Sequence, residues 1–338
     1  MKAFVLREAA PIQEHPLELT EVPRPDPGPE ELLLRVRACG ICRTDLHVIE
    51  GDLPPARRPI VPGHQIAGTV EEVGEDVRGW EPGDRAGVAW LRGTCGDCEF
   101  CRTGRENLCG DSRYTGYHEH GGFAEYTVAP ADWTYRLPGA FDDAGATPLL
   151  CAGIIGYRAL QRARVPEGGR LGLYGFGSSA HIVIQIARHR GHEVVVATRS
   201  ESHRELAREM GASWVGGAYE ELPEPAHGSI IFAPAGPLVP VALKSLKKGG
   251  TLSLAGIHMS PIPEMEYEPC LFHEKEVRSV EANTREDGQG LLDEAAEIPI
   301  RPRVTTMPWT RANEGLQRLE EDGFDGTGVL VMEGMEEA

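Results

Sequence analysis

Four of the eight cysteines in the chain lie within a segment of fifteen residues. Cys95, Cys98, Cys101 and Cys109 follow the pattern C-x2-C-x2-C-x7-C. Cysteines separated by two residues place both sulfurs on one ion, and four thiolates complete a closed tetrahedral shell for zinc. Because a closed shell leaves no position for a substrate, the pattern predicts a structural zinc ion.

Two alternatives compete with this interpretation. The first three cysteines resemble an iron–sulfur run of the ferredoxin type, but no proline follows a fourth cysteine at the matching spacing. Four thiols without a metal are the other alternative, which the close spacing disfavours.

A second group of metal-binding side chains is spread along the chain. The stretch CGICRTDLH contains Cys39 and Cys42, VPGHQIAG contains His64, and LLCAGIIGY contains Cys151. A catalytic zinc ion needs about three protein ligands and one further position for the substrate. Spacing alone leaves open whether residues this far apart meet in space.

The stretch LGLYGFGSSAH has the glycine pattern of a dinucleotide site, Gly175-x-Gly177-x-x-Ala180. The first glycine permits a tight turn, the second lets backbone amides approach a pyrophosphate, and the small third residue lets a helix pack on a strand. Because the pattern lies between a predicted strand and a predicted helix, it favours a bound dinucleotide over a glycine turn without a ligand.

The residues after the next predicted strand indicate which nicotinamide cofactor binds. An NAD site usually has Asp or Glu about 20 residues after the glycines, for the ribose 2′-hydroxyl. This chain has Thr198, Arg199 and Ser200 there, followed by Glu201. Hydroxyls and a guanidinium bind a 2′-phosphate that a carboxylate would repel. The sequence therefore favours NADP(H), and Glu201 keeps NAD(H) open.

Composition excludes several classes of protein. The 338 residues are enough for two domains, with 41% apolar and 25% charged residues, as in globular proteins. The net charge of −18 and the scattered basic residues argue against nucleic-acid binding. No apolar run approaches the ~20 residues of a membrane helix. The N-terminal stretch MKAFVLREAAP is unlike a secretion signal, so we expect a cytoplasmic protein without a membrane partner.

The pattern of predicted elements changes near residue 151. Before it, short β-branched runs such as LLLRVRAC, IAGTVEEVG and FAEYTVA predict many short strands. After it, predicted strands such as RLGLYGFG and EVVVATRS alternate with predicted helices. This alternation predicts a parallel sheet with right-handed crossovers, and hence an α/β fold.

With these motifs in this order, the chain resembles the zinc-dependent alcohol dehydrogenases of the medium-chain dehydrogenase/reductase superfamily over nearly its whole length. The matching stretches are GICRTDLH, PGHQIAGTVEEVG, the four-cysteine segment, LLCAGIIGYRAL and YGFGSSAH. The resemblance implies a catalytic zinc on Cys42, His64 and Cys151, and a structural zinc on the four cysteines of the first motif.

The resemblance also implies a domain organisation. It predicts a GroES-like, mostly β catalytic domain over residues 1–151, with the structural zinc lobe at about residues 90–112. A Rossmann domain with a doubly wound parallel sheet is expected over 152–288, and residues 289–338 return to the catalytic domain. The active site is expected between the two domains, and relatives form dimers or tetramers.

Further roles follow from the resemblance residue by residue. Thr44 and His47 match a proton relay, and Asp45 matches the carboxylate that orients the zinc-bound histidine. Arg43 and Arg285 match positions on the cofactor side. Considered singly, these side chains fit ordinary roles in a helix cap, a turn or a loop. The contiguous run CRTDLH favours the functional interpretation. Gly236 is expected at a strand end near the nicotinamide.

Four other residues receive narrower predictions. The chain has Gln65 where the family usually has Glu after the histidine ligand, and a neutral amide is a poorer zinc ligand. Cys39 is expected to be buried, with a redox pair to Cys42 as the alternative. Trp90 is either a pocket wall that favours small or slim substrates or a core residue. Cys270 is isolated along the chain and is expected to be structural.

A zinc ion would contribute most of the stabilisation that alcohol oxidation needs. It lowers the pKa of a bound hydroxyl from roughly 16 to about 7. At about 1.36 kcal/mol per pKa unit this stabilises the alkoxide by on the order of 12 kcal/mol. A side-chain hydrogen bond supplies only about 1–3 kcal/mol. The resemblance therefore implies reversible hydride transfer between an alcohol, bound as alkoxide on zinc, and the nicotinamide, as an alcohol dehydrogenase or aldehyde reductase.

Three other functions compete with this one. A quinone or enoyl reductase of the same fold would not need the three ligands of the catalytic zinc. A zinc-ribbon protein that binds partners or nucleic acid would use only the four-cysteine segment. A non-catalytic scaffold that kept its metals is the third.

Overall fold

The computed structural model describes residues 1–53, 56–298 and 300–332. The chain divides into two compact units, which are described separately. Unit 1 is Met1–Cys151, Thr284–Ala296 and the described residues from Pro302 onward, and unit 2 is Ala152–Asn283 and Glu297–Arg301. The chain leaves unit 1 after Cys151, where the sequence pattern changes, and re-enters it at Thr284.

The described residues form seventeen strands and nine α-helices, together with short 3-10 helices and a π-helix at Glu268–Phe272. The strands are β1 Lys2–Leu6, β2 Leu17–Glu21, β3 Glu31–Ile41, β4 Gln65–Val73, β5 Arg85–Val88, β6 Leu91–Gly93, β7 Arg113–Tyr114, β8 Tyr126–Pro130, β9 Thr134–Arg136, β10 Arg170–Tyr174, β11 Glu193–Ala197, β12 Trp214–Gly216, β13 Ala226–Ile231, β14 Leu246–Leu254, β15 Glu276–Ser279, β16 Val304–Pro308 and β17 Thr327–Val331. The helices are α1 Arg43–Glu50, α2 Glu99–Arg102, α3 Asp143–Ala146, α4 Ala152–Ala163, α5 Ser178–His189, α6 Glu201–Glu209, α7 Leu238–Lys244, α8 Arg285–Glu297 and α9 Ala312–Glu320.

Unit 1 is built around a mostly antiparallel sheet of seven strands. Its order is β16-β17-β3-β4-β5-β9, and β8 also pairs with β3. β3 is the longest strand, with eleven residues, and most of its side chains are buried because it pairs with neighbours along its whole length. The core gathers side chains such as Leu32, Ile66 and Phe123. This mostly β architecture agrees with the predicted GroES-like fold.

Unit 2 contains one six-stranded parallel sheet, in the order β12-β11-β10-β13-β14-β15. This is the strand order of a doubly wound dinucleotide-binding fold. Its strands are nearly continuous apolar runs, as in VVVA of β11, because helices cover a parallel sheet on both faces. The predicted fold class is confirmed.

None of the helices in the described part of the chain combines the length and the apolar character that crossing a bilayer requires.

Close packing of α4 on β13 gives a test of unit 2. A Cβ atom at Gly228 would lie 2.4 Å from the backbone oxygen of Ala163, the last residue of α4. We expect Gly228→Ala to lower the stability of the protein by about 1–3 kcal/mol, because a backbone oxygen cannot move aside as a side chain does. Thermal and urea unfolding would measure this.

Gly139→Ala is the matched control, because a Cβ at Gly139 would meet no atom within 4 Å. Equal unfolding midpoints for the two variants would contradict the packing argument.

Candidate active site and metal centres

Three side chains from distant parts of unit 1 converge. The sulfurs of Cys42 and Cys151 and a ring nitrogen of His64 all lie within 4.8 Å of one another. The Cys42 sulfur is 3.4 Å from His64 Nε2. Tetrahedral zinc, with bonds of about 2.3 Å to sulfur and about 2.0 Å to nitrogen, separates such donor atoms by about 3.5–3.8 Å. The donor set and its spacing therefore fit a zinc ion with one further position for substrate.

Strand register brings the first two of these residues together. β3 pairs antiparallel with β4, and Gly40 lies opposite Gln65. Cys42 follows the end of β3 and His64 precedes the start of β4, so the two side chains meet just beyond the paired strand ends. The number of residues between Cys42 and His64 does not reveal that strand register brings them together.

A glycine on the sheet accommodates the third ligand. The 3-10 helix Thr147–Leu150 ends at Cys151 and packs on β3, β4 and β5. A Cβ at Gly87 of β5 would lie 2.7 Å from Leu150 Cδ2. The missing side chain lets this helix approach the sheet and places Cys151 beside the other two ligands.

Asp45 ties two ligands together with one carboxylate. Its Oδ2 accepts a hydrogen bond from the Cys42 backbone N–H at 2.9 Å, which forms a capping box at the start of α1. Its Oδ1 is 3.0 Å from His64 Nδ1. An ionised carboxylate only accepts, so Nδ1 carries a proton and Nε2 is the ring nitrogen that can give up its proton to bind a metal. Asp45 and His64 are almost completely buried, at 2% and 1% exposed.

The electrostatics of this group favour a bound cation. Burial lowers the pKa of His64, but the Asp45 carboxylate and the Cys42 sulfur outweigh burial and hold this pKa well above its ordinary value. A hydrogen bond from Cys151 lowers the pKa of the Cys42 thiol well below its usual range, and His64 adds to the effect. The Cys42 thiolate and the Asp45 carboxylate together carry more negative charge than one His64 imidazolium balances, and a cation would compensate the remainder.

The four cysteines of the first motif also converge. The sulfurs of Cys95, Cys98, Cys101 and Cys109 lie within 4.8 Å of one another. Cys98 and Cys101 are 3.5 Å apart, as are Cys95 and Cys109. This geometry fits a closed tetrahedral zinc site.

Two backbone amides and one hydroxyl form hydrogen bonds with the sulfurs of this lobe. The amides of Cys95 and Asp111 point at the Cys109 sulfur, at 3.5 and 3.4 Å. The hydrogen bond between the Cys101 sulfur and the Thr94 hydroxyl lowers the pKa of Cys101 to about 7. Donors directed at sulfur stabilise the thiolate form, which is the form that binds metal.

Thr44 and His47, the predicted relay residues, both lie on α1. Thr44 is buried, and its side chain is among the groups that lower the pKa of the Cys42 thiol. His47 is one turn further along α1 and partly exposed, with Nδ1 2.8 Å from Asp52 Oδ2. Sequence reasoning missed Asp52, although an acidic residue just after the helix-ending Gly51 was a usable signal.

Trp90 lies beside the metal ligands as well as against the core. Its ring meets the His64 ring edge-on, with centroids 5.1 Å apart. It also stacks on Tyr114 at 4.8 Å and on Tyr117 at 5.9 Å. Sequence reasoning missed both tyrosines, because aromatic residues in a two-residue strand and the turn after it have no diagnostic spacing. Trp90 also packs against the core of unit 1, so the two roles proposed for it are compatible.

Gln65 and Cys39 lie next to the candidate ligands, and both side chains are fixed by close packing against glycines. Gln65 is fully buried, and its amide has no hydrogen-bond partner among the described residues. A Cβ at Gly40 would lie 3.0 Å from its Cδ. The Cys39 sulfur is buried where a Cβ at Gly63 or Gly122 would come within 3.0–3.2 Å of it. Burial raises the pKa of Cys39 well above its ordinary value, which opposes a redox role.

The glycine motif of unit 2 begins α5. Gly175 has a φ of +89°, which favours glycine, and a Cβ there would lie 3.1 Å from the Ala233 nitrogen. A Cβ at Gly177 would meet no atom within 4 Å, so the packing of the protein does not require a glycine there. Ala180 is fully buried. Gly177 lies at the N-terminus of a twelve-residue helix, and packing within the protein does not explain why it is glycine. A phosphate group that closely approaches the backbone there would explain it.

The three residues after β11 differ in how far their side chains are exposed to solvent, and so in whether a ligand can reach them. Thr198 is buried at 4% exposed, Arg199 is exposed and Ser200 is half-buried. Glu201 is engaged by Arg204 at 2.7 Å and by Arg208 at 3.1 Å.

Three other predicted cofactor residues have partners within their own unit. Arg43 pairs with Asp322 at 2.5 Å. Arg285 binds both oxygens of Glu106, and its guanidinium lies 4.4 Å above the Trp133 ring. A Cβ at Gly236 would lie 2.3 Å from the backbone oxygens of residues 260 and 261, so internal packing explains this glycine. Their cofactor roles stay predictions.

Comparison with known proteins agrees with the folds described for unit 1 and for unit 2. Residues 28–139 match the alcohol dehydrogenase GroES-like domain, and residues 180–297 match the zinc-binding dehydrogenase family. The chain is 47% identical to a probable alcohol dehydrogenase, AdhA, of Mycobacterium tuberculosis, over 98% of this chain and 97% of the relative. It is 36% identical to an alcohol dehydrogenase of Geobacillus stearothermophilus, over 98% and 99%.

A solved structure shows the same fold. The crystal structure of AibC superposes with a TM-score of 0.90 and is 31% identical, covering 98% of this chain and 96% of AibC.

The Asp45 carboxylate, which contacts both Cys42 and His64, gives a test of the candidate metal site. We expect Asp45→Asn to weaken zinc binding at one of two sites by about 10–100-fold, because the amide is neutral and cannot fix the His64 tautomer as a carboxylate does. Competition with a chromogenic chelator would measure the affinity.

Asp287→Asn is the control, because Asp287 also accepts from the capping-residue amide, that of Thr284, at the start of a helix. It should lower stability and leave both zinc affinities unchanged. Equal zinc affinities in Asp45→Asn and the unaltered protein would contradict the assignment.

Proposed function

Because the chain belongs to the zinc-dependent alcohol dehydrogenases of the medium-chain dehydrogenase/reductase superfamily, we propose that it interconverts an alcohol and its aldehyde by hydride transfer with a nicotinamide cofactor. The observation that carries this proposal is the convergence of Cys42, His64 and Cys151. A zinc-independent reductase of the same fold would not need these three ligands together, and a bare zinc ribbon would need only the four-cysteine lobe.

The two donor sets support two zinc ions per chain. Cys42, His64 and Cys151 would hold the catalytic ion, and the four cysteines of the lobe would hold the structural ion. Zinc at a three-ligand site supplies Lewis-acid chemistry, which acidifies an alcohol hydroxyl and polarises a carbonyl. The chain's own residues then have to orient the ligands and carry a proton.

Orientation is the task of Asp45, and proton transfer is the task of Thr44 and His47. Asp45 keeps the proton of His64 on Nδ1, so that Nε2 stays a ligand. We assign the first step to the Thr44 hydroxyl, which would accept the hydroxyl proton of a substrate and donate its own proton onward. His47 lies three residues further along α1 and is partly exposed, so a proton that reaches it can pass to water.

The aromatic group around Trp90 restricts the substrate. The Trp90 ring contacts His64 and is fixed by stacking on Tyr114 and Tyr117. A large ring that is held in one orientation beside the ligands leaves less room than a mobile side chain would. We therefore assign small or slim alcohols as substrates.

NADP(H) is the cofactor that the end of β11 favours. Arg199 is exposed, and a guanidinium binds phosphate bidentately. Glu201, the acid that could favour NAD(H), is engaged by two arginines. Thr198 is buried, so Arg199 and Ser200 are the donors that we assign to a 2′-phosphate.

Unit 1 would be the catalytic domain and unit 2 the cofactor-binding domain. A homo-oligomer, either dimer or tetramer, and a cytoplasmic location stay predictions from the sequence.

The enzyme assignment predicts a loss of activity without a loss of fold. We expect Cys42→Ser to lower kcat for NADP⁺-linked alcohol oxidation by about three orders of magnitude or more, since the metal supplies most of the alkoxide stabilisation. Steady-state kinetics, circular dichroism and zinc analysis would measure this, with bound zinc falling from two ions to one per chain.

Cys39→Ala is the matched control, because it removes a buried thiol three residues away. It should keep activity and both zinc ions. Normal activity in Cys42→Ser would refute the ligand role, and loss of activity in Cys39→Ala would support the redox pair instead.

The cofactor assignment predicts faster turnover with NADPH than with NADH at equal concentration. We expect Arg199→Gln to raise KM for NADPH about tenfold with little change for NADH, because a charged hydrogen bond to phosphate contributes about 1.5–3 kcal/mol. Arg164→Gln, which removes another exposed arginine of unit 2, should change neither value. A strong preference of the unaltered protein for NADH would overturn the assignment.

A further inference from the structure

His118 lies behind the aromatic group that holds Trp90. Its ring meets the Tyr117 ring edge-on, with centroids 4.7 Å apart, and is tilted against the Tyr114 ring at 5.5 Å. Both tyrosines stack on Trp90, and the Trp90 ring in turn contacts the ring of His64. His118 therefore touches both of the rings that support Trp90 beside the candidate metal site.

Hydrogen bonds fix the His118 ring relative to Tyr114. The Tyr114 backbone N–H donates to His118 Nδ1 at 3.2 Å, and the His118 backbone N–H donates to the Tyr114 carbonyl at 3.0 Å. Burial, with Arg113 nearby, lowers the pKa of His118. The ring is therefore neutral at about pH 7, and Nδ1 keeps the lone pair that accepts the Tyr114 N–H. Two bonds in opposite directions thus join the same two residues.

The turn that contains His118 is also fixed on either side of it. The Thr115 backbone N–H donates to the Trp90 carbonyl at 2.9 Å, so the turn and Trp90 are joined through the main chain. Glu119 follows His118 directly along the chain. Its carboxylate pairs with two arginines, Arg57 at 2.8 Å and Arg113 at 3.1 Å. The His118 ring therefore has little freedom to move away from the tyrosines.

The orientation of Trp90 matters because a tryptophan ring turns about two side-chain bonds and fills different space in each rotamer. Rings that press on it favour one of these rotamers, by roughly two- to ten-fold for each aromatic pair. The planes of Tyr114 and Trp90 are only 13° apart, so the two rings are stacked nearly parallel. Because His118 contacts Tyr114 through its ring and through hydrogen bonds, removal of His118 would loosen this stack.

We propose that His118 is a positioning residue that sets substrate width by holding Trp90 through the two tyrosines. Trp90 then stays in the orientation that narrows the space beside His64. This inference rests on the proposed function and deepens it, because it names the residue through which the site selects slim alcohols over ring-bearing ones. His118 acts through these rings and does not touch the substrate.

The test compares variants of the zinc-loaded protein with two alcohols of different width, 1-propanol and cyclohexylmethanol. His118→Ala should lower the ratio of kcat/KM for 1-propanol to kcat/KM for cyclohexylmethanol roughly three- to ten-fold, because Trp90 gains room to turn. His118→Phe keeps a ring against both tyrosines and should retain most of this ratio. Both zinc ions should stay bound in each variant, and circular dichroism should show an unchanged fold.

A second measurement follows the Trp90 ring without any turnover. In protein labelled with 5-fluorotryptophan, the five tryptophans give five fluorine signals, and Trp90→Phe identifies the signal of Trp90. His118→Ala should shift or broaden that signal and leave the signals of the other tryptophans in place. His118→Phe should change the Trp90 signal much less, because the ring contacts remain.

His227→Ala is the matched control, because His227 of unit 2 likewise accepts a backbone N–H at Nδ1, that of Arg170 at 2.8 Å. It should leave both the ratio and the Trp90 signal unchanged. Either an unchanged ratio or an unchanged Trp90 signal in His118→Ala would overturn the inference. Equal losses in His118→Phe and His118→Ala would also overturn it, because ring contact would then not hold Trp90. An unaltered protein that oxidises neither alcohol would instead refute the proposed function, and the fluorine signal would still show whether His118 holds Trp90.

Discussion

The metal site depends on one carboxylate that is almost entirely removed from water. Burying an ionised carboxylate costs several kcal/mol unless hydrogen bonds and opposite charge replace the lost water. The hydrogen bonds from the Cys42 amide and the His64 ring offset part of that cost, and burial still raises the pKa of Asp45 above its ordinary value. The same two bonds fix two of the three candidate ligands. The strand register of β3 and β4 and the start of α1 have to be correct for these bonds to form together.

The first metal motif could be predicted from sequence, whereas the second could not. Cys95, Cys98 and Cys101 are close in space because they are close along the chain. A tight loop is enough to bring their sulfurs together. Cys42, His64 and Cys151 meet through strand register and through a helix that packs over Gly87. Periodicity does not encode such pairing, and only the resemblance to a known family assigned those ligands in advance.

Sequence patterns predicted the parallel sheet of unit 2 better than the details of its ligand sites. Alternating apolar runs and helical patterns are local properties, and the strands β10, β11 and β14 lie where those patterns place them. Side-chain availability is not local. Thr198 is buried although it lies beside exposed Arg199. In unit 1, the predicted cofactor residue Arg285 binds Glu106, which lies 179 residues earlier in the chain. Tertiary packing decides both.

The two ends of α1 explain why eight residues contain so much of the proposed chemistry. A helix leaves amides without partners at its start and carbonyls without partners at its end, so side chains and loops bend back to meet them. At the start of α1 this requirement directs Asp45 toward Cys42, and the free oxygen of the carboxylate reaches His64. At the end, Gly51 turns the chain so that Leu53 meets the His47 carbonyl, and Asp52 is carried to the ring of His47. Both histidines are thus oriented by groups that cap the same helix, so a change that lengthened or shortened α1 by one residue would disturb the candidate metal ligands and His47, the proposed proton acceptor, together.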